Sequence, residues 1–136
     1  MSTENKGVKV RVNWLRFMYV YTILAGGIGL GCLVAPGMLS LFGYPTEEPI
    51  WAGVGYSLTL AEAIGAILGL RSPLKFSPVL LLQLTYKVIW FVAIFIPLSM
   101  AGQLPSYAIG TGILFATFVV GDLIAIPFRY LFAKGQ

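Results

Sequence analysis

Three ionisable residues interrupt long apolar stretches of this 136-residue chain: Glu62, Lys87 and Asp122. A carboxylate or an ammonium left alone in hydrocarbon costs several kcal/mol, so each is expected to face a bundle interior or water. Glu62 and Lys87 fall near the centres of their stretches and are the first candidates for a pair. Asp122 lies nearer the end of its own stretch, where Arg129, seven residues on, offers a local partner instead. Two carboxylates and one ammonium sum to −1 if all are ionised, which is unfavourable in a dry interior. One carboxyl should therefore carry a proton, or a cationic ligand, water or Arg129 should compensate. The chemistry open to such a set is binding of a small polar ligand or proton handling.

The residues around Lys87 extend the set. Gln83, Tyr86, Lys87, Trp90 and Ile94 follow the i, i+3, i+4, i+7 rule and predict one helical face. Four of these can donate a hydrogen bond, and the tyrosine and tryptophan add flat aromatic surfaces. Gly55, Thr59, Glu62 and Ala66 form a second stripe of mostly small residues. Phe115, Phe118, Asp122 and Arg129 form a third. Together they predict a polar pocket walled by aromatics, with Glu62, Gln83, Tyr86, Lys87, Trp90 and Asp122 as its ligand- or proton-handling residues. The bland alternative is that the same charges only fasten helices to one another. Snorkelling is a poor option for so central a lysine, which should point inward.

The elements that position these residues follow from composition. Hydrophobic residues make up 58% of the chain and charged residues 10%, more apolar surface than a soluble domain this small could hide. Crossing a hydrocarbon core of roughly 30 Å takes about 20 helical residues. Four such spans fit, near residues 14–34, 51–70, 78–96 and 107–128. The expected fold is all-α, a four-transmembrane-helix bundle over 14–130, with a basic segment at 1–13 and a tail at 131–136.

Charge placement sets the expected orientation. Lys6, Lys9, Arg11 and Arg16 flank the first span, Arg71 and Lys75 lie in the turn after the second, and Arg129 and Lys134 follow the fourth. The other two connections have no lysine or arginine; the first carries Glu47 and Glu48. The positive-inside bias then puts both termini in the cytoplasm, in a multi-pass protein of a bacterial inner membrane. The net charge of +4 sits in collars suited to anionic lipid headgroups rather than to nucleic acid. Trp14, Trp51 and Tyr107 mark span ends, where amphipathic rings settle.

Several functions are argued against. The chain has no histidine and a single cysteine, Cys32, so it lacks the usual ligands for haem or catalytic zinc and cannot form an intrachain disulfide. No cofactor is expected. GLGC at 29–32 is read as part of an uncleaved first helix, because the apolar run is too long for a signal core. AGGIGLG at 25–31 lies within a span without a preceding strand and is not a phosphate loop. Ala61, Gly65 and Gly69, like Gly27 and Gly31, suit close helix packing. Pro127 is expected to kink the fourth span beside Asp122.

The first span, LRFMYVYTILAGGIGLGCLVAPGMLSLFG, and AEAIGAILGL in the second resemble the DoxX-like four-helix membrane proteins. The resemblance implies a four-helix bundle with Glu62 at the family's polar position, and links to quinone-dependent oxidation or redox-enzyme maturation. YKVIW and GDLIAIPF lie outside that pattern, and the absent histidines argue against a redox centre within this chain. Three functions compete: a module binding or transporting a small ligand (a lipid, a quinone or another), an accessory subunit of a larger membrane complex, and an enzyme acting on a lipid or quinone. The enzyme has the least support, since no nucleophile or metal spacing is present. Four spans are few for an alternating-access carrier, so transport would call for a homo-oligomer.

Overall fold

The computed structural model describes residues 2–45 and 49–132, with side chains described for 12–45 and 50–132. Glu47, Glu48 and Lys134, and the side chains of Lys6, Lys9 and Arg11, lie outside them. All regular structure among the described residues is helical: α1 (Ser2–Val34), α2 (Pro49–Arg71), α3 (Ser77–Trp90), α4 (Ile96–Met100), α5 (Ser106–Ala125) and α6 (Phe128–Leu131). Four stretches are long and apolar enough to cross a membrane: Val12–Val34, Ile50–Arg71, Ser77–Met100 and Ser106–Ala125.

Helix α1 is the hub, packing on α2, α3 and α5, while α3 also touches α2 and α5. Glycines allow the closest approaches. A Cβ at Gly26 would overlap that of Ala63, and one at Gly29 would sit 3.1 Å from the Tyr56 carbonyl. Small residues are what membrane helices use to bring backbones together, where lipid gives no hydrophobic drive. Of the expected α1 pair, a Cβ at Gly31 would lie 3.0 Å from Met38, while one at Gly27 would meet nothing within 4 Å among the described residues; Gly26 and Gly29 make the contact with α2. On α2, Gly65 and Gly69 do pack, against Val79 and the Tyr19 ring, while Ala61 is exposed.

The third span is longer than expected and changes pitch. Residues Phe91–Phe95 form a π turn before α4. Pro97 explains it: proline has no N–H to give the Ala93 carbonyl and its ring crowds that group, so the helix widens one turn earlier. The Ile96 N–H accordingly reaches back to the Phe91 carbonyl. The extra residue rotates everything after it. Ile94, expected on the inner stripe, is 46% exposed. Phe95 takes its place, with its ring against Gly112, where a Cβ would lie 2.6 Å away.

The fourth span is shorter than expected, ending at Ala125 rather than near 128. Pro127 stops the helix instead of kinking it. The residue before a proline is pushed out of the α region, and Ile126 is extended at φ −67°, ψ 124°. Its N–H still closes the last turn on the Asp122 carbonyl at 2.8 Å.

The connections sort to two ends. Tyr19 Oη donates to the Pro73 carbonyl at 2.6 Å, holding the first half of α1 to the α2–α3 turn. The end of α5 joins the same core, through Ala125 and Ile126 beside Leu15, Met18 and Tyr19. Arg16, Arg71, Lys75 and Arg129 therefore share one end. At the other, a 3₁₀ turn, Met38–Phe42, lies between Gly37 and Gly43, whose φ of 87° and 84° suits only glycine. Tyr44 then docks on α5, its hydroxyl 2.8 Å from that of Thr111 and its ring 5.3 Å from that of Tyr107.

Candidate functional site

All four spans contribute to a cavity of about 270 Å³ that runs from mid-bundle toward the 3₁₀ end. Glu62, Gln83 and Lys87 line its deep part at 3%, 1% and 2% exposure, beside Tyr86. Phe115 and Phe118 wall it from α5, while Leu39, Tyr44 and Thr111 close it above. Four of the six expected site residues thus share one space. Asp122 and Trp90 do not line it.

Lys87 is held by aromatic faces rather than by a carboxylate. Its Nζ lies 4.2 Å from the centroid of Tyr86, 4.4 Å from Phe118 and 5.1 Å from Phe115, and donates to Tyr86 Oη at 2.7 Å. Desolvated cation–π contacts are worth up to about 2 kcal/mol, which makes the rings a substitute for counter-charge. Among the described residues no ion pair within 4.0 Å joins Lys87 to Glu62 or Asp122, nor Asp122 to Arg129. The expected direct pair is not formed.

Glu62 and Asp122 are treated differently. Asp122 is fully buried, and Gln83 Nε2 reaches its two oxygens at 2.9 and 3.2 Å. Gln83 Oε1 in turn lies 3.1 Å from the hydroxyl of Thr22, whose single proton also has the Met18 carbonyl at 2.8 Å as an acceptor. This relay ties α1, α3 and α5 together across the core. Glu62, by contrast, has a buried Oε1 with no hydrogen-bond partner among the described residues. A buried polar atom left unpaired costs about 1–3 kcal/mol, more if charged.

Trp90 has a supporting place. Its ring stacks edge-on against Phe115 at 5.0 Å and near Phe91 and Phe95, so it braces the aromatic wall from behind. Phe115 also meets Tyr86 edge-to-face, at 6.1 Å. Helical spacing alone did not single out Thr22, Tyr44, Tyr56 or Thr111, although all four line the cavity. A threonine within an apolar span was a usable signal for Thr22 and Thr111. Tyr44 arrives from a connection whose path no periodicity reports.

No family model, curated protein or solved structure matches the chain. The chemistry of the site therefore carries the functional argument. A buried carboxylate oxygen and a buried ammonium share a space and are not joined, and aromatic rings surround them. Such a site can hydrogen-bond a small molecule at two points of opposite polarity. Among the described residues no group of three acidic or cysteine side chains is placed to hold a metal.

Proposed function

We propose that this protein is a multi-pass membrane bundle, in a bacterial inner membrane with both termini cytoplasmic, that binds a small molecule between Glu62 and Lys87. The orientation rests on the basic residues gathered at one end of the bundle. The binding reading rests on one observation: two oppositely charged groups, each almost wholly buried and lining one cavity, are not paired with each other. Charges kept only to hold helices would gain by meeting directly. The Asp122–Gln83–Thr22 relay already serves that purpose across three helices.

The test is purification from native membranes followed by mass spectrometry of retained small molecules. Wild type should carry one compound that Lys87→Met, folded to the same melting temperature, does not. A compound held equally by both proteins would end the reading.

A second reading has its own support. A groove of about 690 Å³ between α1 and α5 is lined by Trp14, Phe17, Tyr21, Ile113, Val120 and Ile124 on the outer surface. Such a face suits a neighbouring helix as well as lipid, as in an accessory subunit of a larger complex or a homo-oligomer. Membership of the DoxX-like group and a quinone-linked role belong with this reading. Stoichiometric partner proteins in the same purification would favour it.

A further inference from the structure

The cavity's chemistry narrows the ligand, on the assumption that the binding reading above is right. Glu62 Oε1 is an acceptor without a donor among the described residues. Lys87 has three N–H donors, of which one goes to Tyr86 Oη, with no other acceptor among the described residues within hydrogen-bond reach. The two groups lie more than 4.0 Å apart in the same space. With Glu62 ionised, a ligand that satisfies both must donate at one point and accept at another.

Charge then discriminates. An anion would meet Lys87 but also Glu62, with Asp122 behind Gln83. A cation would meet Glu62 but also Lys87, whose Nζ is held over three rings. Asp122 lies outside the cavity with both oxygens facing Gln83 Nε2, so a ligand meets Glu62 and Lys87 as a balanced pair. A charged ligand there gains one close attraction and one close repulsion. An uncharged ligand avoids this and still gains two charge-assisted hydrogen bonds, the strong kind. Shape adds to the argument. Tyr44, Tyr56, Tyr86, Phe115 and Phe118 face the space, and flat walls select flat guests. A volume of about 270 Å³ lies just below the usual range for ligand pockets, about 300–1,000 Å³. One ring with a short polar group is the scale that fits.

We infer that the ligand is a small, uncharged planar ring bearing a hydrogen-bond donor beside an acceptor, such as an aromatic carboxamide or a nucleobase-like ring. It would donate to Glu62, accept from Lys87 and lie between the aromatic walls.

Saturation-transfer NMR on the full chain in nanodiscs, with empty nanodiscs subtracted, tests this using benzamide, benzene, acetate and tetramethylammonium as probes. Benzamide should bind saturably and at least about tenfold more tightly than benzene or either ion. Glu62→Gln and Lys87→Met should each weaken it by about tenfold, one charge-assisted bond at roughly 1.4 kcal/mol per decade. The comparison among probes uses wild type alone, so it stands even where a variant fails to fold. Benzamide binding no better than benzene overturns the donor–acceptor requirement. Preferential binding of acetate or tetramethylammonium, lost in the variants, overturns the uncharged ligand and leaves the binding reading intact. Failure of all four probes on a folded wild type overturns both.

Discussion

At the basic end of the bundle, Leu15, Met18, Tyr19, Leu80, Ala125 and Ile126 pack into one core. Glycines there are filled to the limit: a Cβ at Gly69 would lie 2.5–2.7 Å from the Tyr19 ring. At the 3₁₀ end the same four spans leave a cavity, and Gly110 has only the Tyr44 hydroxyl near it, at 3.8 Å. Both ends are apolar and rich in aromatics. What separates them is where the glycines and rings meet. The basic end sets a ring against a glycine of another helix. At the other end, Tyr44 and Tyr56 line the cavity. Among the described residues Phe95 on Gly112 sets a ring against a glycine there, while Gly26, Gly29 and Gly31 approach Ala63, the Tyr56 carbonyl and Met38 instead. Interiors normally pack to crystal-like density, so the cavity at this end is the departure that the binding proposal accounts for.

The largest expected effect tests this contrast directly. Gly69→Leu drives a side chain into the Tyr19 ring, which cannot swing away without breaking its bond to Pro73. Overpacking of this kind costs about 1–3 kcal/mol or more, and here it strikes a helix contact. Fluorescence size-exclusion should show loss of the monodisperse species. Gly110→Ala, at the loose end, should elute as wild type. Equal behaviour of the two would abolish the distinction between the halves.

The next effect separates the two carboxylates. Gln83→Leu removes the donor to Asp122 and the acceptor facing Thr22, leaving a fully buried carboxyl without a partner among the described residues. It should destabilise by about 2 kcal/mol. Glu62→Gln breaks no hydrogen bond at its buried Oε1 and removes a buried, unpaired charge, so it should leave stability unchanged or raised, and on the binding proposal it should weaken benzamide binding. Thermal melts of both variants in one detergent give the comparison. A Glu62→Gln protein as unstable as Gln83→Leu would make Glu62 a fastening group, not a binding one.

Much of this was legible in the sequence because the bilayer leaves helices so few choices. Four apolar runs and the collars of lysine and arginine give the spans and the sorting of their ends. The inward aim of Lys87 follows from the cost of any other direction. The site was readable as far as a straight helix carries a stripe. Gln83, Tyr86 and Lys87 obey that rule, whereas Ile94 does not, because the π turn before Pro97 adds a residue that an ideal period cannot register. Tyr44 could not be read at all, since its position depends on two left-handed glycines and a contact 67 residues away in sequence. The offset from Gly27 to Gly26 shows a further limit. Spacing of four selects Ala25 with Gly29 or Gly27 with Gly31 in AGGIGLG, whereas the pair that meets α2, Gly26 and Gly29, is three apart.

The smallest effect concerns how the loose half is closed. A second cavity of about 330 Å³, lined by Cys32, Pro36, Met38 and Ala52, shares Leu39, Tyr44 and Tyr56 with the deeper one. Those three side chains form the wall between the two spaces. Tyr44 follows a short segment bracketed by left-handed glycines, and its bond to Thr111 fastens that segment to α5. A neutral hydrogen bond of this kind contributes about 1 kcal/mol, so removing it should raise the population of an opened segment about fivefold. Cys32, 5% exposed in the outer space, is a built-in reporter. Tyr44→Phe should therefore speed maleimide labelling of Cys32 about fivefold, and Thr111→Val should do the same. If ligand enters from this end, a bound probe should slow labelling in wild type and less so in Tyr44→Phe. Labelling indifferent to both variants would mean that the segment is fixed by its glycine-bracketed turn and the Tyr107 ring contact, and that the deep cavity is reached from between the helices instead.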